Sequence, residues 1–228
     1  MYHFKRASVY YNLHNYLGRV SMVEVIGGQA GEIKDDQFLI DAVPGKENWF
    51  YVAGPRSAIY QVRKAQEEGI DIFDIHFLEA NIWLAALRYA RAAEIYATLE
   101  EKVKEADAGL FWYSWSQAAL GTQDYDAYLQ RLNKAIEAQP SLYKSTLTDA
   151  LVTVAQRYQQ QGDLAKYIEF LGKAVENNPL SANLHLTLGD AYWLGDERQN
   201  AAEQYRLVLE LEPSHPERVR LLNRIREG

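Results

Sequence analysis

From Phe73 onward, apolar residues recur three and four positions apart, the spacing that lines one face of an α-helix. These runs come in pairs. From Thr148 to Ser181, and again from Ala182, two amphipathic segments are joined by a polar turn, Gln159 to Asp163 in the first pair and Gly195 to Asn200 in the second. The pairs superimpose without a gap: Ala155 falls on Gly189, Tyr158 on Tyr192, Leu171 on Tyr205, Ala174 on Val208 and Pro179 on Pro213. A fixed period of this length predicts a repeated helical hairpin. Proline lacks the amide donor that would continue a helix and disfavours helical geometry in the residue before it, so Pro179 and Pro213 should end the second helix of each hairpin. The small Ala155 and Gly189 let that helix approach the first closely, and the tyrosines and leucines fill the space beyond.

Two earlier pairs follow the same plan less strictly. One starts near Gly109 and ends at Pro140, with Trp112, Tyr125, Leu132 and Ala135 in place, and about five extra residues around Tyr143 to Leu147 precede the next unit. The other begins near Phe73, where Ala80, Trp83, Tyr89, Ala92 and Tyr96 fit and the final proline is missing. Beyond Pro213, residues 216–227 read as a charged helix with Val219, Leu222 and Ile225 on one face, expected to cap the last hairpin.

Before Phe73 the pattern changes. Ala7 to Leu17 reads as a helix with Val9, Leu13, Tyr16 and Leu17 inward, and Val20 to Ile26 as a strand stopped by Gly27 and Gly28. Phe38 to Val43 and Trp49 to Ala53 read as two more strands, separated by Pro44, Gly45 and Asn48. Ser57 should cap a helix that runs to Glu68 and closes at Gly69, with Ile70 to Phe73 a further strand. The expected organisation is a small α/β element over residues 1–72 followed by a helical repeat domain over residues 73–228.

The repeat resembles the tetratricopeptide repeat family, on Leu188, Gly189, Tyr192, Ala201, Tyr205 and Pro213 in the last unit, with Val208 in place of the usual alanine. The unit before it matches at Ala155, Tyr158, Gly162, Ala174 and Pro179, and departs at Tyr167, where a small residue is expected. The resemblance implies a mainly α fold: a right-handed superhelical array of three to four hairpins with a C-terminal capping helix. It also implies a non-catalytic scaffold that binds a protein or peptide partner on its concave face, which the first helix of each hairpin lines. The positions that match are Phe77 and Asn81, Tyr113 and Gln117, Gln156 and Gln159, and Asn183, Leu186, Asp190 and Trp193. Amides there can bond an extended peptide backbone, and Tyr and Trp supply rigid contact area. Family members that dock acidic chaperone tails carry basic residues in this groove, and those positions are not basic here. The expected partner is therefore neutral or mildly basic, with Asp190 as counter-charge. The competing reading fills the groove from within, Trp193 packing on the terminal helix and Tyr113 on the stretch from Tyr143 to Leu147.

Charge and composition narrow the function further. The 228 residues carry a formal charge of −7 with basic residues scattered among acidic ones, which disfavours a nucleic-acid partner. Cysteine is absent, excluding disulfides and thiolate metal sites. No run approaches the roughly 20 apolar residues of a membrane span, and the basic start, residues 1–8, is not followed by an apolar signal core. A cytoplasmic protein is expected, or an extracytoplasmic one if the chain is the soluble part of a membrane protein, and homo-oligomerisation stays open. The N-terminal pattern resembles the soluble segment of bacterial membrane glycosyltransferases with C-terminal repeats. That makes an accessory domain of such an enzyme, or of a similar envelope assembly, the second functional reading.

Catalytic, cofactor and metal constellations are not expected. Gly27, Gly28 and Gly31 lack the following Gly-Lys-Ser/Thr of a phosphate cradle. His3, His14, His76, His185 and His215 have no metal-ligand spacing, and Ser8 with His14 lacks an orienting acid. Asp35 with Asp36 and Glu67 with Glu68 are adjacent, so each pair diverges. Trp112 and Trp115 are expected in the core.

Overall fold

The computed structural model describes residues 3–9, 24–27, 37–43, 45–55 and 57–228. Two compact units divide the chain, residues 1–138 and 139–228. The fold is mainly α.

Unit 1 begins with helical residues 3–9 (α1) and a three-stranded antiparallel sheet, β1 (Glu24–Gly27), β2 (Phe38–Ala42) and β3 (Trp49–Ala53), in the order β1-β3-β2. Val52 and Ala53 of the central strand are fully buried. Pairing of β2 with β3 slips between Leu39 and Asp41, a bulge that leaves Ile40 as the extra residue. Next comes α2 (Ala58–Glu67), whose first turn is capped by the Ser57 hydroxyl and whose end is followed by Gly69 in left-handed geometry at φ 82°.

Two expectations fail here. Val9 is exposed while Ala7 is buried, because residues two apart on a helix point to nearly opposite sides. Ile70 to Phe73 is not a strand: Phe73 opens a helix, and only three residues separate it from the Gly69 turn. The described part of the expected first strand is a strand, Glu24–Gly27, and residues 20–23 lie outside the described residues. The expectations for Leu13, His14, Tyr16, Leu17, Gly28, Gly31, Asp35, Asp36 and Pro44 fall outside the described residues.

Unit 1 then holds two helical hairpins, α3 (Phe73–Ala85) with α4 (Tyr89–Leu99), and α5 (Glu105–Gly121) with α6 (Tyr125–Ala138). Unit 2 opens with the short α7 (Pro140–Tyr143) and holds two more, α8 (Thr146–Gln160) with α9 (Leu164–Asn177), and α10 (Ala182–Leu194) with α11 (Arg198–Leu211). Helix α12 (Arg218–Glu227) follows. The helices α9 and α11 stop ahead of Pro179 and Pro213 as the proline rule requires.

All four hairpins turn in the same way. A helix-end residue is followed by one in left-handed geometry, Leu87, Gln123, Gly162 or Asp196, at φ 59°, 62°, 78° and 62°. The next residue, Arg88, Asp124, Asp163 or Glu197, donates its amide to the carbonyl five residues back, at 2.9, 3.0, 2.9 and 2.9 Å. Only Gly162 is a glycine, so the other three pay the steric cost of a β-carbon there. These shared turns establish the degenerate Phe73 hairpin as a true repeat.

Packing follows the repeat. Trp112 and Trp115 are buried and stacked at 5.4 Å, in an aromatic cluster with Phe73, Phe77, Tyr96 and Phe111. At Gly189 a β-carbon would sit 2.7 Å from Tyr205 Cε1, so the close approach predicted for this small residue is real. Leu221 of α12 is fully buried in a cluster with Ala182, Ala201, Tyr205 and Val208, with Ile225 packed against it. The cap therefore uses a face centred on Leu221. Val219 is 75% exposed, which corrects its expected place on that face, since it lies two residues from Leu221 and about 200° around the helix.

Candidate functional site

The ten expected groove positions divide between the units. Phe77, Asn81, Tyr113 and Gln117 belong to unit 1, and the other six to unit 2. In the first and last hairpins one of these positions meets a tyrosine of the second helix. Tyr96 donates its hydroxyl to Asn81 Oδ1 at 2.8 Å, and Tyr205 donates to Asp190 Oδ1 at 2.7 Å, fifteen residues back in both cases. The corresponding second-helix residues in the middle hairpins are Leu132 and Leu171, which have no hydroxyl to give. Gln117 keeps a single bond, to Ser116 Oγ at 3.3 Å, and Gln156 is exposed with no side-chain bond among the described residues. Gln159 and Asn183 are likewise exposed and without one. Phe77 is half-buried within the unit 1 aromatic cluster, and Tyr113 is half-buried.

In unit 2, Gln159, Asp190 and Trp193 line one cavity of about 300 Å³, together with Tyr167, Arg220 and Arg224. Tyr167, the departure from the repeat pattern, is buried and forms part of its wall. Asp190 is the electrostatic centre. Arg220 donates to it at 2.7 and 3.3 Å, Arg224 at 2.9 Å, and Arg224 also donates to the Tyr205 hydroxyl at 2.8 Å. Burial alone would raise the Asp190 pKa, but hydrogen bonds from Arg220 and Tyr205 and the two guanidinium charges outweigh it and hold the carboxyl below its usual range. Tyr205 moves the other way: burial, then its bond to the Asp190 carboxylate, push it up to about 12.

This arrangement corrects the expected role of Asp190 as an open counter-charge for a partner. Residues Arg220 and Arg224 lie one turn apart on α12, so both reach the carboxylate, and the cap supplies the cations from within the chain. The same helix claims Trp193. Arg224 lies over its ring at 4.6 Å and Arg198 of α11 at 3.9 Å, and the ring packs on the Leu221 cluster while also lining the cavity. Asn183 and Leu186 sit one turn apart on α10, Leu186 packed on the same cluster and Asn183 open to solvent.

The unspent groups are neutral amides, suited to hydrogen bonding and not to proton transfer. Among the described residues no group of three His, Asp or Glu is placed to hold a metal ion, and no helix is long and apolar enough to cross a membrane. The described histidines are held by neighbours: His185 is buried between Gln204 Oε1 at 2.8 Å and the Pro179 carbonyl at 2.9 Å, and His3 meets Gln61 at 2.6 Å. Sequence reasoning missed Arg220 and Arg224. The signal was available in their four-residue spacing beside Leu221, but only the fold brings α12 against Asp190.

No family model matches the chain. Among curated proteins it is similar to cellulose synthase operon protein C of Pseudomonas fluorescens (strain SBW25), 28% identical over 165 residues. That match takes in 68% of this chain and 12% of the relative, so the chain spans only a small part of the relative's length. Among solved structures it is similar to the C-terminal part of a TPR repeat-containing protein from Cytophaga hutchinsonii, with a TM-score of 0.52 and 15% identity, covering 98% of this chain and 72% of the other.

Proposed function

From a fold built of tetratricopeptide hairpins, we propose that this chain is a non-catalytic scaffold that binds a protein or peptide segment along its first-helix face. The observation that carries this reading is the set of exposed amides Gln156, Gln159 and Asn183 on the first helices of unit 2, with no side-chain bond among the described residues, of which Gln159 lines the cavity at Trp193. Each amide offers both a donor and an acceptor, the pair an extended backbone needs. Asn81 and Asp190, already held by Tyr96 and Tyr205, serve as structural members of the face. Arg220 and Arg224 surround Asp190, so the segment bound near Trp193 need not be basic.

The test is site-specific photo-crosslinking of the intact chain in native extract. A crosslinking side chain at Gln156 or Asn183 should capture a protein that one at exposed Arg206, on a second helix, does not, and a peptide from that protein should bind in isolation. Equal capture from Arg206, or a peptide whose affinity is unchanged by Gln156→Ala with Asn183→Ala, would move the interaction elsewhere.

A second reading draws on the similarity to cellulose synthase operon protein C: an accessory segment of a membrane-associated glycosyltransferase or similar envelope assembly. It predicts co-purification with membrane glycosyltransferase subunits that survives both amide substitutions.

A further inference from the structure

Unit 1 contains a larger cavity, about 640 Å³, at the turn end of the α3/α4 hairpin, and it shares no residue with the ten groove positions. At this turn the repeat is broken in charge. The residue that starts the second helix is Asp124, Asp163 or Glu197 in the later hairpins, and Asp124 and Asp163 each accept an amide of the following turn at 3.1 Å. In the first hairpin that place belongs to Arg88, and α4, eleven residues long, has no side-chain acceptor at its N-terminus. The positive end of the helix is left with a cation instead of an anion.

Two donors lie behind the wall, unpaired and closed to solvent. Trp83 is fully buried, and its indole Nε1–H has no acceptor. Arg88 Nη2 is buried without one as well, the guanidinium lying flat over the Tyr51 ring at 3.7 Å. Arg91, one turn further along the rim, lies over the Trp83 ring at 4.4 Å. No carboxylate forms an ion pair with Arg88 or Arg91 among the described residues. Glu79 and Glu94 also line the cavity, but Glu79 accepts from Gln66 Nε2 at 2.8 Å and faces His76, while Glu94 is exposed. Cations crowd here: burial and then the charge of Arg91 lower the pKa of Arg63 on α2. Ile40 from the β-bulge, Leu87 at 67% exposure and Ile95 supply an apolar wall.

We propose that this cavity binds a small organic anion, its carboxylate or phosphate at the α4 N-terminus beside Arg88 and Arg91 and its apolar body against Ile40, Leu87 and Ile95. The volume lies within the roughly 300–1,000 Å³ of small-molecule sites. An acceptor at this point complements the uncapped α4 N-terminus and relieves the mutual repulsion of the arginines. The site stands apart from the peptide-binding reading, so either can fail alone.

Titration of the full ¹⁵N-labelled chain with benzoate, phenyl phosphate and benzylamine tests it, read at the Trp83 indole resonance, which Trp83→Phe assigns. Benzoate or phenyl phosphate should shift that resonance saturably, and whichever binds tighter identifies the acid group. Arg88→Asp, which places there the residue of the next hairpin, should weaken binding at least about tenfold with helicity by circular dichroism unchanged. The proposal is overturned by no saturable shift with either anion up to about 10 mM, by an equal response to benzylamine, or by unchanged affinity in Arg88→Asp.

Discussion

The same substitution, glycine to alanine, should have opposite effects at two helical sites of unit 2. In a helix interior alanine is favoured over glycine by roughly 0.8–1.0 kcal/mol. At Gly172 on α9 nothing lies within 4 Å of the added methyl, so Gly172→Ala should stabilise by about 0.5–1 kcal/mol. At Gly189 the methyl would lie 2.7 Å from Tyr205 Cε1, 3.0 Å from Cδ1 and 3.2 Å from Gln204 Cβ, about 1 Å inside ordinary carbon contact. The ring cannot yield freely. It is fully buried and its hydroxyl is held by Asp190 and Arg224. Overpacking of such a site costs roughly 1–3 kcal/mol, and a pinned ring belongs at the upper end, so after the propensity gain Gly189→Ala should destabilise by about 2 kcal/mol. Urea unfolding followed by circular dichroism measures both. Pairing Gly189→Ala with Tyr205→Leu reproduces the Ala155 and Leu171 combination of the preceding hairpin, and should be less destabilising than the sum of the single changes by about 1–2 kcal/mol. Equal or greater stability in Gly189→Ala, or strict additivity in the pair, would refute the close-approach argument.

Three further outcomes follow from the packing and the charges. Leu221→Ala, which empties a fully buried position of the cap, should cost about 2–4 kcal/mol, whereas Val219→Ala on the exposed side should fall within about 0.5 kcal/mol of the parent, both by urea unfolding. Because the folded pKa of Asp190 is depressed, its contribution is present above the unfolded value near 3.9 and is lost as pH falls through the folded one. The stability gap between the parent and Asp190→Asn should therefore shrink from about pH 6 to about pH 3, and a pH-independent gap would contradict the charge assignment. Leu87→Gly should stabilise the first turn by up to about 1 kcal/mol, since Leu87 is exposed at φ 59°, and a loss seen by thermal unfolding would mean that its contacts outweigh the backbone cost.

The repeat was legible because its determinants are local. Proline ends, small residues at Ala155 and Gly189 and paired amphipathic runs each act within one hairpin, and the structure places them as read. The turn geometry was harder to see, since three of the four left-handed positions carry Leu87, Gln123 and Asp196 in place of glycine. Backbone bonds to the carbonyl five residues back hold them there, and those bonds leave no mark on residue identity. The cap was legible as a helix and misread in its facing, because Val219, Leu222 and Ile225 satisfy a three-residue spacing as well as Leu221 and Ile225 satisfy a four-residue one. Packing on Tyr205 and Val208 decides between them.

The proposed groove residues were legible as first-helix positions but not as free or committed groups, and the reason lies on the opposite helix. A tyrosine at the facing position of the second helix reaches across and holds the groove residue, as Tyr96 holds Asn81 and Tyr205 holds Asp190, while leucine at that position does not. The repeat alignment already placed Leu171 on Tyr205, yet it treated both as filling, because hydroxyl and methyl occupy similar space. Their chemical consequence differs. A groove side chain bonded to a buried tyrosine has its acceptor spent and its rotamer fixed, so a partner must break a bond to use it; Gln117 and Gln156, facing leucines, keep donors and acceptors available. If that distinction governs recognition, Leu171→Tyr should supply a hydroxyl to Gln156 and weaken partner binding without unfolding α8 and α9, and Tyr96→Phe should leave it unchanged. Binding of the captured peptide, compared across these two variants with helicity checked by circular dichroism, separates a face that recognises through its unspent amides from one that merely presents shape.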